Sequence, residues 1–269
     1  MWIDTPGRKL YAYTGGRAFD AGQPSVVFVH GAQHDHSVWI LQSRFLAHHG
    51  RSVLALDLPG HGRSEGPLDT SVEAMADSVI AAMTAAGVER AAIVGHSMGS
   101  LIALECAARA PDRVERIALL GAAWPMKVSD VLLEAAANDE PKAMDMINRW
   151  SHSGINFRPG SPAPGFSVYW QNRRLMARQA PGTLLSDFRA CDRYEGGLAA
   201  AAAVQCPVLF VIGGRDMMTP PKAADALAAA IGKAPAGIEP RRALIPGCGH
   251  ALMSERPDEV LAALRDFLL

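Results

Sequence analysis

Short apolar runs rich in β-branched residues alternate along the chain with longer segments rich in alanine and leucine. The runs fall at 25–29, 52–56, 91–94, 114–120, 207–212 and 242–245. Several close on a turn signal, such as His30-Gly31 after the first, Asp57-Leu58-Pro59-Gly60 after the second and Gly95 after the third. Runs that are apolar throughout, rather than alternating, suit strands covered on both faces, and the rhythm predicts a mainly parallel sheet with helices on either side. Segments 98–109, closed by Pro111, and 257–269 read as helices of that kind. Residues 2–3 and 9–13 add two antiparallel edge strands, which brings the predicted sheet to eight.

The rhythm fails between Trp124 and about Gln205, where Pro141, Pro159, Pro162, Pro164 and Pro181 interrupt a helical and irregular stretch. The expected organisation is therefore one α/β core built from 1–124 and 206–269, with 125–205 as an insertion. Trp124, Trp150 and Trp170 lie in or at the edge of this insertion, and 149–178 carries five arginines and no acid. Its aromatics could roof a pocket, although a satellite apolar core is the favoured expectation. The alanine run 199–203 reads as a helical stretch returning to the sheet.

Composition narrows the function. With 269 residues, 49% hydrophobic and 20% charged, the chain can bury a large core, which excludes disorder, collagen and coiled coil. Its 26 basic residues nearly balance 27 acidic ones, so no global field favours nucleic acid or an acidic membrane, and the expected partner is a small molecule. No apolar run approaches the ~18 residues of a membrane helix, and residues 1–13 lack the apolar stretch of a secretory leader. Cys106, Cys191, Cys206 and Cys248 are widely spaced and read as reduced thiols, so the expected location is cytoplasmic. Nothing in the sequence sets an oligomeric state.

The strongest chemical signal is Gly95-His96-Ser97-Met98-Gly99, between a predicted strand and a predicted helix. This G-x-S-x-G pattern suits a nucleophile elbow: the chain turns so sharply at the serine that side chains two residues away on either side would collide. The turn lifts the Ser97 hydroxyl above the sheet and sets it at a helix N-terminus, near unpaired N–H groups. A serine hydroxyl is a weak nucleophile at neutral pH and needs a base and an orienting acid. His250, in Gly247-Cys248-Gly249-His250 after the last strand, is the candidate base. Asp216, in Gly213-Gly214-Arg215-Asp216 after the preceding strand, is the candidate acid, although a turn aspartate there would look the same.

Taken together, His30-Gly31, the stretch from Asp57 to Ser64, the elbow, Gly214-Arg215-Asp216 and Gly249-His250 resemble the α/β-hydrolase superfamily, over essentially the whole chain outside the insertion. That resemblance implies a mostly parallel eight-stranded sheet flanked by helices, with the insertion as a helical cap. It implies oxyanion N–H groups at Ala32 and Met98, and a structural role for Asp57. The overall layout is similar to the small-esterase and enol-lactonase branch. The expected function is a serine hydrolase that cleaves a small carboxylic ester or lactone through an acyl-enzyme, with no cofactor and no metal. Trp124, Trp170, Arg173 and Arg174 are the expected substrate contacts, the arginines selecting an anionic group.

Hydrolysis of a carbon-carbon bond in a vinylogous diketone remains open, as do thioester, amide and perhydrolase chemistry and a slow ligand-binding receptor on the same fold. Dehalogenase and epoxide hydrolase relatives resemble this pattern with aspartate at the elbow, which disfavours them. The cluster His30, His34, Asp35 and His36 does not match a metal-ligand spacing and reads as a polar loop. His48 and His49 read as complements to a helix C-terminus.

Overall fold

The computed structural model describes residues 1–153, 167–234 and 236–269. Eight strands form one sheet: β1 (Trp2–Thr5), β2 (Arg8–Tyr13), β3 (Ser25–Val29), β4 (Ser52–Leu56), β5 (Ala91–His96), β6 (Val114–Leu120), β7 (Val208–Gly213) and β8 (Arg241–Ile245). Their spatial order is β1-β2-β4-β3-β5-β6-β7-β8. The β1–β2 and β2–β4 pairs are antiparallel, and all others are parallel.

Alternate residues of each central strand face opposite layers. Val27 and Val29, Ile93, and Phe210 pack with the layer of α2 (Val72–Ala85), α3 (Met98–Arg109) and α9 (Asp225–Gly232). Val26 and Phe28, Val94, and Val211 pack with that of α1 (Ile40–Ala47), α10 (Leu252–Glu255) and α11 (Pro257–Leu268). Both faces being covered is why β3, β4 and β5 are buried at every position. The outer strand β8 carries Arg241 and Arg242 exposed, a common guard against further strand pairing.

The insertion supplies α4 (Asp130–Asn138), α5 (Glu140–Ser151), α6 (Val168–Met176), α7 (Thr183–Arg193) and α8 (Gly197–Ala203). Leu132, Met144, Ile147, Met176, Leu184 and Phe188 form a separate apolar cluster, the satellite core expected of this segment. Ala200, Ala201 and Val204, like Ala190 and Cys191 of α7 and Tyr194 after it, pack with the main core. Pro159, Pro162, Pro164 and Arg158 lie outside the described residues. All four cysteines are buried and free. No helix among the described residues is long and apolar enough to cross a membrane.

Candidate active site

Ser97 joins β5 to α3 with φ 53° and ψ −119°, a backbone conformation costly for a residue with a side chain. The neighbours make it possible. A Cβ on Gly95 would overlap the Gly99 carbonyl, and one on Gly99 would lie 2.6 Å from the His30 carbonyl oxygen and closer still to that of Val29. The elbow is pinned by the Ser97 N–H donating to the Leu120 carbonyl at 2.8 Å, and by the Ser100 N–H and hydroxyl donating to the Ser97 carbonyl at 2.8 and 2.6 Å.

His250 and Asp216 meet at the ends of β8 and β7. The His250 Nδ1–H donates to Asp216 Oδ2 at 2.7 Å, which leaves Nε2 as the acceptor nitrogen of the ring. Asp216 Oδ1 accepts from the Met218 and Thr219 N–H groups at 2.8 and 2.7 Å, and Oδ2 from the Thr219 hydroxyl at 2.7 Å. Burial alone would raise the Asp216 pKa. The His250 charge and hydrogen bond, with the Thr219 donors, outweigh it and hold the carboxyl below its ordinary range.

The loop bearing His250 is tied on three sides: His96 Nε2–H donates to the His250 carbonyl at 2.9 Å, the Gly249 N–H donates to Glu255 at 3.2 Å, and the Ala251 N–H donates to the Ser151 carbonyl at 2.9 Å. His96, next to the serine, is kept neutral by burial and by the neighbouring His250 and His34, which together hold its pKa well below the ordinary value.

A Cβ on Gly31 would lie 3.1 Å from His96 Nδ1 and 3.2 Å from Ser97 Cβ, so a side chain there would have to push these neighbours apart by a few tenths of an ångström, and glycine lets the loop after β3 run this close to the serine without that. Ala32 follows directly. Among the described residues neither its N–H nor that of Met98, the first residue of α3, donates to a backbone acceptor. His30 anchors the loop, with Nδ1–H donating to the Gly31 carbonyl at 2.8 Å and Nε2 accepting from the Leu58 N–H at 3.1 Å.

A cavity of about 640 Å³ opens beside His96 and His250, between α6, the Ser37–Leu41 stretch and α10, with an exposed surface that is mostly apolar, Val38, Leu175 and Met253 contributing to it, and with His34, Gln171, Asn172 and Arg174 among its polar lining residues. Of the four expected substrate contacts, only Arg174 lines it. Trp124 stands edge-on to Tyr194 at 5.4 Å, with Gly197 against its ring, and packs on the main core. Trp170 is 61% exposed and stands edge-on to Tyr169. Arg173 turns to Asp145 of α5, 2.7 Å away, and its guanidinium also meets the Met144 sulfur. Trp124 and Arg173 are thus held away from the cavity by Tyr194 and Asp145, partners that sequence spacing does not reveal, whereas Trp170 stands exposed.

Asp35, His36 and Asp57 place one ligand atom each within 4.8 Å of one another. Those carboxylates are already engaged. Asp57 Oδ1 accepts from the His36 N–H and ring and Oδ2 from the Arg63 N–H, which fits the structural role expected of it. Asp35 accepts from Ser37, Arg178 and Gln179. A cation there would have to displace these donors. His48 caps the end of α1, and the His49 ring lies 2.6 Å from the Phe45 carbonyl, as expected of residues at a helix C-terminus.

Sequence reasoning missed Thr219, whose spacing of three from Asp216 is a readable turn signal. It placed His61 only within the 57–64 stretch that carries the resemblance and missed Asp187 and its pairing with His61, 126 positions away, which leaves no local signal.

A family model described as alpha/beta hydrolase fold matches residues 24–257. A dihydrolipoyllysine-residue acetyltransferase component of an acetoin cleaving system from Cupriavidus necator is 41% identical over 122 residues, covering 45% of this chain and 31% of that protein. The chain thus spans under a third of that relative's length. A pimeloyl-[acyl-carrier protein] methyl ester esterase from Nitrosomonas europaea is 27% identical over 262 residues, 89% of this chain and 93% of that one. The crystal structure of an enol-lactonase from Burkholderia xenovorans superposes with a TM-score of 0.84 at 25% identity, covering 100% of this chain and 99% of that one.

Proposed function

The chain belongs to the alpha/beta hydrolase family, and on that footing we propose that it is a serine hydrolase of a small carboxylic ester or lactone. What supports this most is the conjunction of a serine held at φ 53° on the elbow with a histidine whose Nδ1 is engaged by a buried aspartate at 2.7 Å. In this mechanism His250 Nε2 takes the Ser97 proton as Oγ attacks the carbonyl carbon. The Ala32 and Met98 N–H groups bind the tetrahedral oxyanion, and Asp216 stabilises the imidazolium. Collapse of the adduct breaks the ester C–O bond, and His250 passes its proton to the departing alkoxide. Water, deprotonated by His250, then cleaves the acyl-enzyme and regenerates Ser97.

Relatives named as an ester esterase and an enol-lactonase, both matched over nearly their whole length, support ester or lactone as the bond cleaved. The largely apolar cavity with Arg174 in its wall fits an acyl group carrying a polar or anionic end. Four buried free thiols fit a reducing, cytoplasmic setting.

The experiment is turnover of a panel of p-nitrophenyl esters and lactones by the parent and by Ser97→Ala, with phosphonate labelling mapped by mass spectrometry. Ser97→Ala is expected to lower kcat by about 10⁴-fold or more without unfolding the protein. Near-parent turnover, or a phosphonate adduct on another residue, refutes the proposal.

A further inference from the structure

The peptide unit between Ala32 and Gln33 is held at both ends. Its carbonyl accepts from His34 Nδ1–H at 2.7 Å, and the other ring nitrogen of His34 lies 2.7 Å from Asn172 Oδ1 on α6. Its N–H, that of Gln33, donates to Asp187 Oδ2 on α7 at 2.8 Å. Gln33 itself sits at φ 58°. Among the described residues only Ser97 shares a positive φ without being glycine. Its side chain also reaches under the cap, Nε2 donating to the Met176 carbonyl at 3.1 Å. Strain of this kind persists only where the surroundings over-determine it, and it concentrates at functional sites.

Asp187 has a second partner. Its Oδ2 lies 3.0 Å from His61 Nε2, while His61 Nδ1 lies 3.1 Å from the Pro59 carbonyl. Both ring nitrogens therefore face acceptors, one a carbonyl and the other a carboxylate, so the protonated ring can donate on both sides. Burial opposes that charge, but the field and hydrogen bond of Asp187 outweigh it and hold the His61 pKa above the ordinary value.

Three groups face His61: Asp187 from α7, Asp57 from the end of β4, and the His30 ring at 4.9 Å. His30 is neutral, its pKa lowered to about 4 chiefly by burial. Asp187 is fully buried, and its Oδ1 has no partner among the described residues. A buried carboxylate oxygen left unused costs stability, which fits a residue kept for where it holds its neighbours.

We propose that Asp187, braced by His61, is a positioning residue for the oxyanion site: it clamps the Ala32–Gln33 peptide and so, through the Ala32 Cα, limits the orientation of the preceding Gly31–Ala32 peptide, whose N–H is the oxyanion donor. This rests on the assignment of Ala32 as an oxyanion donor. The Ala32 side chain packs on both the apolar cluster of the insertion and the main core, at the junction of the two. Such donors act only when preorganised on the position the charge will occupy, and a misplacement of about 1 Å costs up to about 10²-fold in rate.

The test is Asp187→Asn, which keeps the shape and removes the charge that braces His61. The expected result is a kcat lower by about 10- to 10²-fold with KM within about two-fold. Affinity for an alkyl boronic acid, which forms a tetrahedral adduct on the serine, should fall by the same factor as kcat/KM. An unchanged boronate affinity, or a KM shifted as much as kcat, overturns the proposal.

Should Asp187→Asn fail to fold, the parent answers the same question by pH. As the His61 Hε1 resonance titrates, at a midpoint above the ordinary imidazole value, kcat falls while KM holds. A kcat flat through that titration overturns the clamp. Ser97→Ala separates the two levels: if it abolishes turnover while Asp187→Asn behaves as the parent, only the positioning role is lost, whereas an active Ser97→Ala removes the hydrolase mechanism with it.

Discussion

Replacing Gly95 by alanine would drive a methyl group into the Gly99 carbonyl and to within 2.8 Å of the Ser100 nitrogen, and neither backbone atom can yield without moving the elbow. Gly50 offers the contrast: it has φ 84°, but nothing lies within 4 Å of a Cβ there. Gly50→Ala is expected to cost about 1 kcal/mol, the strain of a left-handed alanine alone. Gly95→Ala should cost at least about 3 kcal/mol, or fail to fold. Urea unfolding midpoints of the two variants check this, and equal losses would show that the elbow tolerates a methyl. The same contrast explains what was legible in the sequence at this scale. The constraint on Ser97 is met by glycines two residues away on either side, so five letters disclose it. Asp216 was visible as a turn residue, and its Thr219 partner lies within the same turn. The His61–Asp187 pair was not visible, because each residue alone is an ordinary loop or helix residue and only the folded chain brings them together across 126 positions.

At the scale of elements, the central strands were legible almost to the residue because both faces of the sheet are buried, so apolar runs and strands coincide. The helices between β6 and β7 were legible as a change of rhythm but not in their orientations. Successive helix positions differ by about 100°, so Arg173 and Arg174 on α6 point to different neighbours. Arg173 was expected at the substrate, whereas the fold turns it to Asp145. Arg174 lines the cavity and has no ion-pair partner among the described residues. Arg178, the next cation on that wall, is taken by Asp35 at 2.8 Å. Arg174→Ala is therefore expected to raise KM for a carboxylate-bearing ester by about 10-fold, the worth of one charge-assisted hydrogen bond, and to leave its uncharged analogue unaffected. Arg173→Ala should move neither. Steady-state kinetics on the matched pair of esters decide it, and equal behaviour of the two esters with Arg174→Ala would return that arginine to the solvated surface.

Over the whole molecule, buried histidines of opposite sign shape stability against pH. His30, His34, His96 and His152 have their pKa values lowered below 6.5, in each case first by burial. Between those values and 6.5 the unfolded chain binds more protons than the native one, so stability rises with pH and is fully present above 6.5. Asp216, also lowered, adds stability that is present above 3.8 and lost as pH falls through its native value. His61 runs the other way. Its native pKa is raised, so its contribution is complete below 6.5 and is lost as pH climbs through the native value. The acid limb below pH 6.5 is set by several protons; between pH 6.5 and 8 His61 contributes an alkaline limb of at most about 1.4 kcal/mol per pH unit, opposed by the Met1 α-amino group, whose pKa is lowered below 8.0 by burial and by Arg63 and whose contribution rises with pH. Asp187→Asn leaves His61 buried without its carboxylate, which converts it from a raised to a lowered group. In that variant the alkaline limb should vanish and the acid limb steepen by up to one proton, as read from urea unfolding free energies across the range. An alkaline limb that survives Asp187→Asn would mean that another group, not the clamp beneath the cap, holds the extra proton.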